Sequence, residues 1–183
     1  MSSPGVDRLS PAQFKAALWM DAALRPHALL LGERVAELAS TLAAAELDDY
    51  DCLWPGALDA RQRAAAPYLV RLARDSAFTD WVVGRARDDA PEWGLLGLSA
   101  MPFLALRNAL RALCRARLAD GRQIDLAWMD PVILGGLLPG LDAIQAAAFF
   151  GPLPQIVLPD ATGWTWWRDH GVQRQARHVD IAG

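Results

Sequence analysis

The alternation of apolar and polar positions is clearest between Cys114 and Met129, where it predicts a β-hairpin. Asp120-Gly121 is a typical tight-turn pair, and apolar residues alternate along the strand that follows it. A three-residue loop over 119–121 pairs Arg115 with Asp125 and keeps apolar and polar residues on separate faces. It also places Gly121 at the left-handed position that such loops require. The apolar positions of the second strand are Ile124, Leu126 and Trp128.

The hairpin runs into Asp130-Pro131, which admits two interpretations. A catalytic aspartate at the end of a strand has this form, and so does the start of a helix. Asp130 is a preferred N-cap residue, and Pro131 suits the first helical position, where its missing N–H has no consequence. We favour the cap because it accounts for both residues, and we expect a helix through Leu137 or Leu138.

Other segments of the second half have equally definite patterns. The apolar run Trp93–Ser99 predicts a strand buried on both faces. Pro102 opens a helix whose buried face combines Phe103, Leu106, Leu110 and Leu113. A helix from Leu141-Asp142 to Phe150 and a final pair of strands, Gln155–Leu158 and Gly163–Trp167, follow.

The first half is less regular. We expect a strand at Ala17–Asp21, then a helix that begins near Pro26, and a strand at Asp49–Trp54. The spacing of Leu31, Val35, Leu38 and Leu42 is that of one buried helical face. Residues 60–86 have a mostly helical composition, interrupted at Pro67.

These elements together predict a mixed α/β domain with a small, partly antiparallel sheet flanked by helices. We expect one domain over residues 13–167, between a flexible N-terminal tail, 1–12, and a polar, frayed C-terminal tail, 168–183. The length of 183 residues and the 53% hydrophobic share suit a single core.

Composition narrows the possible functions. The net charge is −3 and basic residues are interspersed with acidic ones, so nucleic-acid binding is not expected. The N-terminal sequence has no apolar signal core, and the longest apolar run is shorter than the ~20 residues of a membrane span. Cys52 and Cys114 lie far apart among apolar residues and are expected to be free thiols. A cytoplasmic protein without membrane insertion is therefore expected.

The densest group of carboxylates is Asp48, Asp49 and Asp51. Such a cluster can bind a divalent cation, but hard cations require more oxygen ligands than it supplies. The histidines lack metal-ligand spacing, and no phosphate-binding or nucleophile motif occurs. We predict no catalytic site, no metal and no cofactor, and keep a hydrolase using this cluster or Asp130 as the alternative.

A basic helix face is the candidate surface for a protein partner. Arg107 and Arg111 lie one turn apart, away from the apolar face of their helix. Arginine is frequent in interfaces because its planar guanidinium pairs with carboxylates and is weakly hydrated. Tyr68 and Arg71 are further candidates because Tyr and Arg are common interface anchors. Plain solvation of the helix is the alternative explanation.

Several short motifs follow one another in a definite order along the chain. They are ALWMDAA (Ala17–Ala23), CLWPG (Cys52–Gly56), APYLVRL (Ala66–Leu72), WGLLGLSA, LRNALRAL (Leu106–Leu113), DGR (Asp120–Arg122), a strand that ends in Asp130-Pro131, LLPGL and AFFGPL (Ala148–Leu153). This order resembles that of the adaptor chaperones of type VI secretion effectors, a family long described only as a domain of unknown function. The likeness covers roughly residues 17–167.

The resemblance implies a non-enzymatic cytoplasmic protein that holds a toxin effector and helps load it onto the tip protein of the secretion spike. The family's strand before Asp-Pro usually carries an arginine and an aromatic residue, whereas this chain has Ala127, Trp128 and Met129. Longer members also have a helical C-terminal lobe that we do not expect here. A toxin-neutralising immunity protein is a further alternative.

Overall fold

The computed structural model describes residues 7–45, 47–84, 86–90, 92–117, 120–169 and 174–181. The mixed α/β class predicted from the sequence is confirmed. The helices are α1 (Pro11–Leu18), α2 (Leu38–Ala44), α3 (Ala60–Ala65), α4 (Ala77–Gly84), α5 (Ala86–Asp89), α6 (Phe103–Leu113), α7 (Pro131–Leu137) and α8 (Ala143–Phe150), and a 3-10 turn covers Leu138–Gly140. The strands are β1 (Asp7–Leu9), β2 (Arg25–Leu31), β3 (Tyr50–Cys52), β4 (Pro67–Arg71), β5 (Gly94–Ser99), β6 (Arg115–Arg117), β7 (Gln123–Asp125), β8 (Gln155–Pro159), β9 (Gly163–Asp169) and β10 (Arg174–Ile181).

The main sheet has eight strands in the order β1-β10-β9-β8-β5-β2-β4-β3. All neighbours are antiparallel except β1 and β10, which run parallel. The sheet is larger than the small one expected. Strand β3 lies at one edge, and this position brings Asp51 beside α6.

Helices cover both faces of the sheet, because successive residues of its central strands are buried on opposite sides. Ala28 and Leu30 of β2 belong to the core beneath α1, α2 and α4, whereas Leu29 and Leu31 belong to the core beneath α6, α7 and α8. We call these the α1 face and the α6 face. All six residues of β5 are buried, as predicted for a strand covered on both faces.

The predicted hairpin is confirmed at the level of register. β6 pairs with β7 through Arg115–Asp125, Ala116–Ile124 and Arg117–Gln123, and Gly121 has the left-handed φ of 86°. β7 ends at Asp125. The expected continuation of the strand to Met129 is therefore wrong, because Trp128 and Met129 lie in a turn and are buried in the α6-face core.

Three predictions for the first half of the chain are wrong, each because the local pattern is compatible with more than one type of secondary structure. The expected strand at Ala17–Asp21 is instead the end of α1 and a turn, since Ser10 and Gln13 form a capping box that starts a helix. The expected helix from Pro26 is instead β2, a central strand buried on both faces. Only Leu38 and Leu42 of the proposed helical face belong to a helix, α2.

The mostly helical assignment of residues 60–86 also requires correction, because β4 lies between α3 and α4. Pro67 is the first residue of this strand, a position where its missing donor is tolerated. The strand expected at Asp49–Trp54 is present as β3, which is shorter than expected.

Both expected tails contribute strands. β1 in the N-terminal segment pairs with β10 in the C-terminal one, and β10 pairs with β9 along seven residues, Arg174–Asp180. Val179 is only 1% exposed and packs in the α1-face core. The domain therefore extends beyond the limits of 13–167 that the sequence indicated.

Candidate functional site

The predicted basic helix face and the predicted carboxylate cluster are in contact with each other. Arg107 Nη1 of α6 donates a hydrogen bond to Asp51 Oδ2 of β3, at 2.5 Å. Arg111 Nη2 donates to the Cys52 carbonyl oxygen at 2.6 Å and lies 3.8 Å from Asp51 Oδ1. Two arginines one helical turn apart thus fix α6 to the edge strand of the sheet.

Alternation along β3 explains why Asp51 reaches α6. Asp51 lies opposite Leu69, which belongs to the α6-face core. Asp49, two residues earlier, points to the same face and forms an ion pair with Arg71 of β4. Asp48 is exposed and lies outside these pairs.

These contacts describe a structural role for residues that were expected to be functional. Asp49 and Asp51 are already paired with guanidinium groups, which weakens their use as cation ligands or as a general base. Across the described ranges, no group of three or more His, Cys, Asp or Glu side chains is arranged to hold a metal ion. Among the described helices, none is long and apolar enough to cross a membrane.

Tyr68 does not present an exposed anchor. Its side chain points to the α1 face, is only 6% exposed and donates from its hydroxyl to the Arg63 carbonyl at 3.0 Å. Burial raises the pKa of the Tyr68 hydroxyl, and also that of the Cys52 thiol across the strand pair. Both groups therefore stay protonated near neutral pH.

Asp130 caps α7, as the sequence predicted. Its Oδ1 accepts from the backbone N–H groups of Val132 at 2.9 Å and Ile133 at 3.2 Å, and Pro131 occupies the first turn. Its Oδ2 lies 3.5 Å from Arg34. The carboxylate therefore has the environment of a helix cap.

The two described histidines lie in different environments. His27 is buried beneath α6, 6.3 Å from the Phe103 ring, and burial lowers its pKa to about 4. His178 of β10 lies between Asp160 and Asp180, with nitrogen–oxygen distances of 3.1 and 2.9 Å. His170 lies outside the described residues.

The α6 face contains a groove of about 770 Å³ beside the arginine contacts. One wall is formed by Arg111 and Ala112 of α6 with Arg115 of the hairpin, and the other by the chain segment that follows β3. We call it the α6 groove. Its larger apolar lining residues are Leu31, Leu53, Trp54, Pro55, Leu126 and Met129.

The α6 groove combines apolar walls with cationic groups. Trp54 is 37% exposed, so part of its indole ring is accessible at the wall of the groove. Glu33 is its only carboxylate among the described lining residues, against Arg111 and Arg115. A concave apolar surface with a small excess of positive charge suits a segment of another chain that carries apolar and acidic side chains. Sequence reasoning found Arg111 but not the groove, because its walls come from distant parts of the chain.

The fold and the site define a mixed α/β domain in which Arg107 and Arg111 are held in internal contacts beside the α6 groove. A family model described as a domain of unknown function, DUF4123, matches residues 20–148. This is more than half of the chain, so the protein belongs to the DUF4123 family. No curated protein and no solved structure matches it.

Proposed function

We propose that this protein is a non-enzymatic adaptor that binds a type VI secretion effector in the bacterial cytoplasm and helps load it onto the spike tip protein. The partner class comes from the ordered motifs between residues 17 and 167, which resemble those of such adaptors. The observation that carries the proposal is the α6 groove, a concave apolar surface with arginines at its wall.

The groove fits protein recognition better than catalysis. Its described lining has one carboxylate, Glu33, and no histidine, while Cys114 is the one thiol. A nucleophile, its base and an oxyanion site are therefore not assembled there. Apolar walls with a few charged groups are the usual composition of a docking surface.

Arg107 and Arg111 contribute to this function by position. Their contacts with Asp51 and Cys52 hold α6 beside the segment that follows β3, so the two walls keep a fixed separation. A preformed groove binds a partner at lower entropic cost than one that must be ordered. The expectation that these arginines, Tyr68 and Arg71 contact the partner directly stays a prediction.

The experiment is co-expression of the protein with a candidate effector and a candidate spike tip protein, each chosen from the genes that neighbour its own. Size-exclusion chromatography with light scattering then measures whether a complex of defined stoichiometry forms. The adaptor proposal predicts a stable complex with the effector and an unmodified effector chain. Absence of a complex with both proteins at micromolar concentration would contradict it.

A further inference from the structure

A second concave surface adjoins the α6 groove at the edge of the sheet. It has a volume of about 690 Å³ and is formed by β3, the loop that follows β3, α3 and β4. We call it the edge pocket. Trp54 and Arg111 line both the edge pocket and the α6 groove, so the two concave surfaces meet at these side chains. The lining residues of the edge pocket used below are Ala57, Leu58, Arg63 and Tyr68.

The two surfaces lie on opposite faces of the sheet. Leu31 and Leu53 in the wall of the α6 groove belong to the α6-face core. In the edge pocket, Tyr68 belongs to the α1-face core and Leu58 packs against it. Because β3 is an edge strand, Trp54, shortly after its end, stands where the sheet edge separates the two faces. A chain that occupies both surfaces therefore passes around this edge over Trp54.

The local backbone fixes Trp54 in this position. Leu53 is only 1% exposed and its N–H donates to the Pro67 carbonyl of β4 at 2.8 Å, so the chain is anchored immediately before the indole. Gly56 has a left-handed φ of 92°, which redirects the chain just after it. Trp54 itself belongs to neither core. The indole is thus presented on a short turn at the edge of the sheet.

The Trp54 indole offers a partner both an apolar ring and a hydrogen-bond donor. Trp81 and Trp166 donate from Nε1 to Asp89 and Gln155, whereas no described residue accepts from Trp54 Nε1. A partly exposed indole with a free donor is typical of the residues that dominate binding energy in protein interfaces.

The charges of the two surfaces indicate what kind of chain suits them. The charged residues in their described lining are Arg63, Arg111, Arg115, Glu33 and Asp51. Asp51 is already in an ion pair with Arg107, which lines neither surface. The excess charge is therefore positive, and an exposed arginine lies in each surface, Arg63 in the edge pocket and Arg115 in the α6 groove. Carboxylates on the partner complement both.

We propose that the effector segment bound by the α6 groove continues around the sheet edge into the edge pocket as an extended chain. It places an apolar side chain on each side of Trp54 and carboxylates near Arg63 and Arg115. An extended chain fits because a straight helix, about 10–12 Å wide, cannot follow a surface that turns around a sheet edge. The inference rests on the adaptor proposal, since the occupant of the α6 groove is taken to be the effector.

The test measures the dissociation constant of the full-length protein with the candidate effector used in the co-expression experiment. Trp54→Ala should weaken binding more than about tenfold, and Trp54→Phe, which keeps an aromatic ring without the N–H, should weaken it less. Ala57→Glu places a carboxylate in the edge pocket, outside the α6 groove, and should weaken binding about tenfold or more. Ala43→Glu changes an exposed alanine of α2 that lines neither surface, and should leave the dissociation constant within about twofold.

Cross-linking tests the path of the effector chain directly. p-Benzoylphenylalanine replaces either Ala57 in the edge pocket or Ala112 in the α6 groove, and mass spectrometry locates the effector residues that react. Both positions should react with one effector segment of about twenty residues or fewer, since an extended chain spans roughly 3.3 Å per residue.

The results distinguish this inference from the adaptor proposal. A complex that Trp54→Ala and Ala57→Glu both leave within twofold of the parent, at equal melting temperatures, would overturn the extended path while the adaptor proposal stands. An effector that cross-links only at position 112, or at the two positions through segments far apart in its sequence, would do the same. If Trp54→Ala lowers the melting temperature, Ala57→Glu and the cross-links decide. Absence of any complex would contradict the adaptor proposal and this inference with it.

Discussion

Arg107 of α6 and Asp51 of β3 form a hydrogen-bonded ion pair at 2.5 Å that joins a helix to the edge strand of the sheet. The two residues come from groups that suggested rival functions, an arginine surface for a partner and a carboxylate cluster for catalysis. Their pairing gives both groups a shared structural task. Side-chain exposures of 22% and 34% place the pair between the solvent and the core.

The pair predicts an energetic coupling. Arg107→Met and Asp51→Asn should each lower the free energy of unfolding by about 1 kcal/mol, with a coupling of similar size in the double variant. Denaturant titration of the four proteins measures it. Additive effects of the two substitutions would show that the contact contributes nothing to stability.

The Asp130 cap predicts a ranked series. Asp130→Ala should destabilise the protein by about 1 kcal/mol, because the N–H groups of Val132 and Ile133 lose their acceptor. Asp130→Asn keeps an acceptor oxygen and should cost less. Thermal melts of both variants provide the comparison, and equal damage from Ala and Asn would argue against capping.

His27 predicts a loss of stability in acid. Its folded pKa is lowered to about 4 from 6.5, so the unfolded chain binds the additional proton between these values. The stability that depends on neutral His27 is complete above pH 6.5, declines as the pH falls, and has lost ~3 kcal/mol by pH 4.

The measurement is the pH dependence of unfolding for the parent and for His27→Phe, an aromatic residue without a titrating group. The variant should show a shallower decline between pH 6.5 and 4. Parallel pH profiles for the two proteins would mean that His27 does not titrate differently in the folded and unfolded states.

Two positions of the C-terminal strand β10 are expected to differ in how much stability a substitution removes. Val179 of β10 is buried and Ala176 is exposed, so Val179→Asp should destabilise the protein by about 3 kcal/mol and Ala176→Asp should have little effect. A frayed tail would tolerate both substitutions. Equal melting temperatures of the two variants would therefore contradict the ordered strand and favour a frayed tail.

The sequence predicted those parts of the fold whose signals are local. The hairpin register follows from Asp120-Gly121, and the start of α7 follows from Asp130-Pro131, because turn and cap chemistry act over a few residues. The sequence of β2 predicts a helix as readily as a strand, because a strand buried on both faces has no alternation. β1 and β10 form only through each other and β9, and this long-range pairing leaves little trace in either segment.

The candidate site was predicted only in part, because only its local features leave a pattern in the sequence. The helical spacing identified Arg107 and Arg111 as one surface, but their partner Asp51 is 56 positions from Arg107. The α6 groove combines residues from several distant segments, so it could not be derived from local patterns.

The central claim is that the α6 groove receives the effector. It is tested most directly by the dissociation constant of the complex between this protein and the effector, both purified. Ala112 and Ala105 are both exposed on α6, but Ala112 lines the groove. A glutamate at the groove wall repels an acidic segment by its charge, and its larger side chain narrows the groove. Ala112→Glu is therefore predicted to weaken binding tenfold or more, and Ala105→Glu to leave it within about twofold, at equal melting temperatures. An unchanged dissociation constant for Ala112→Glu would contradict the account.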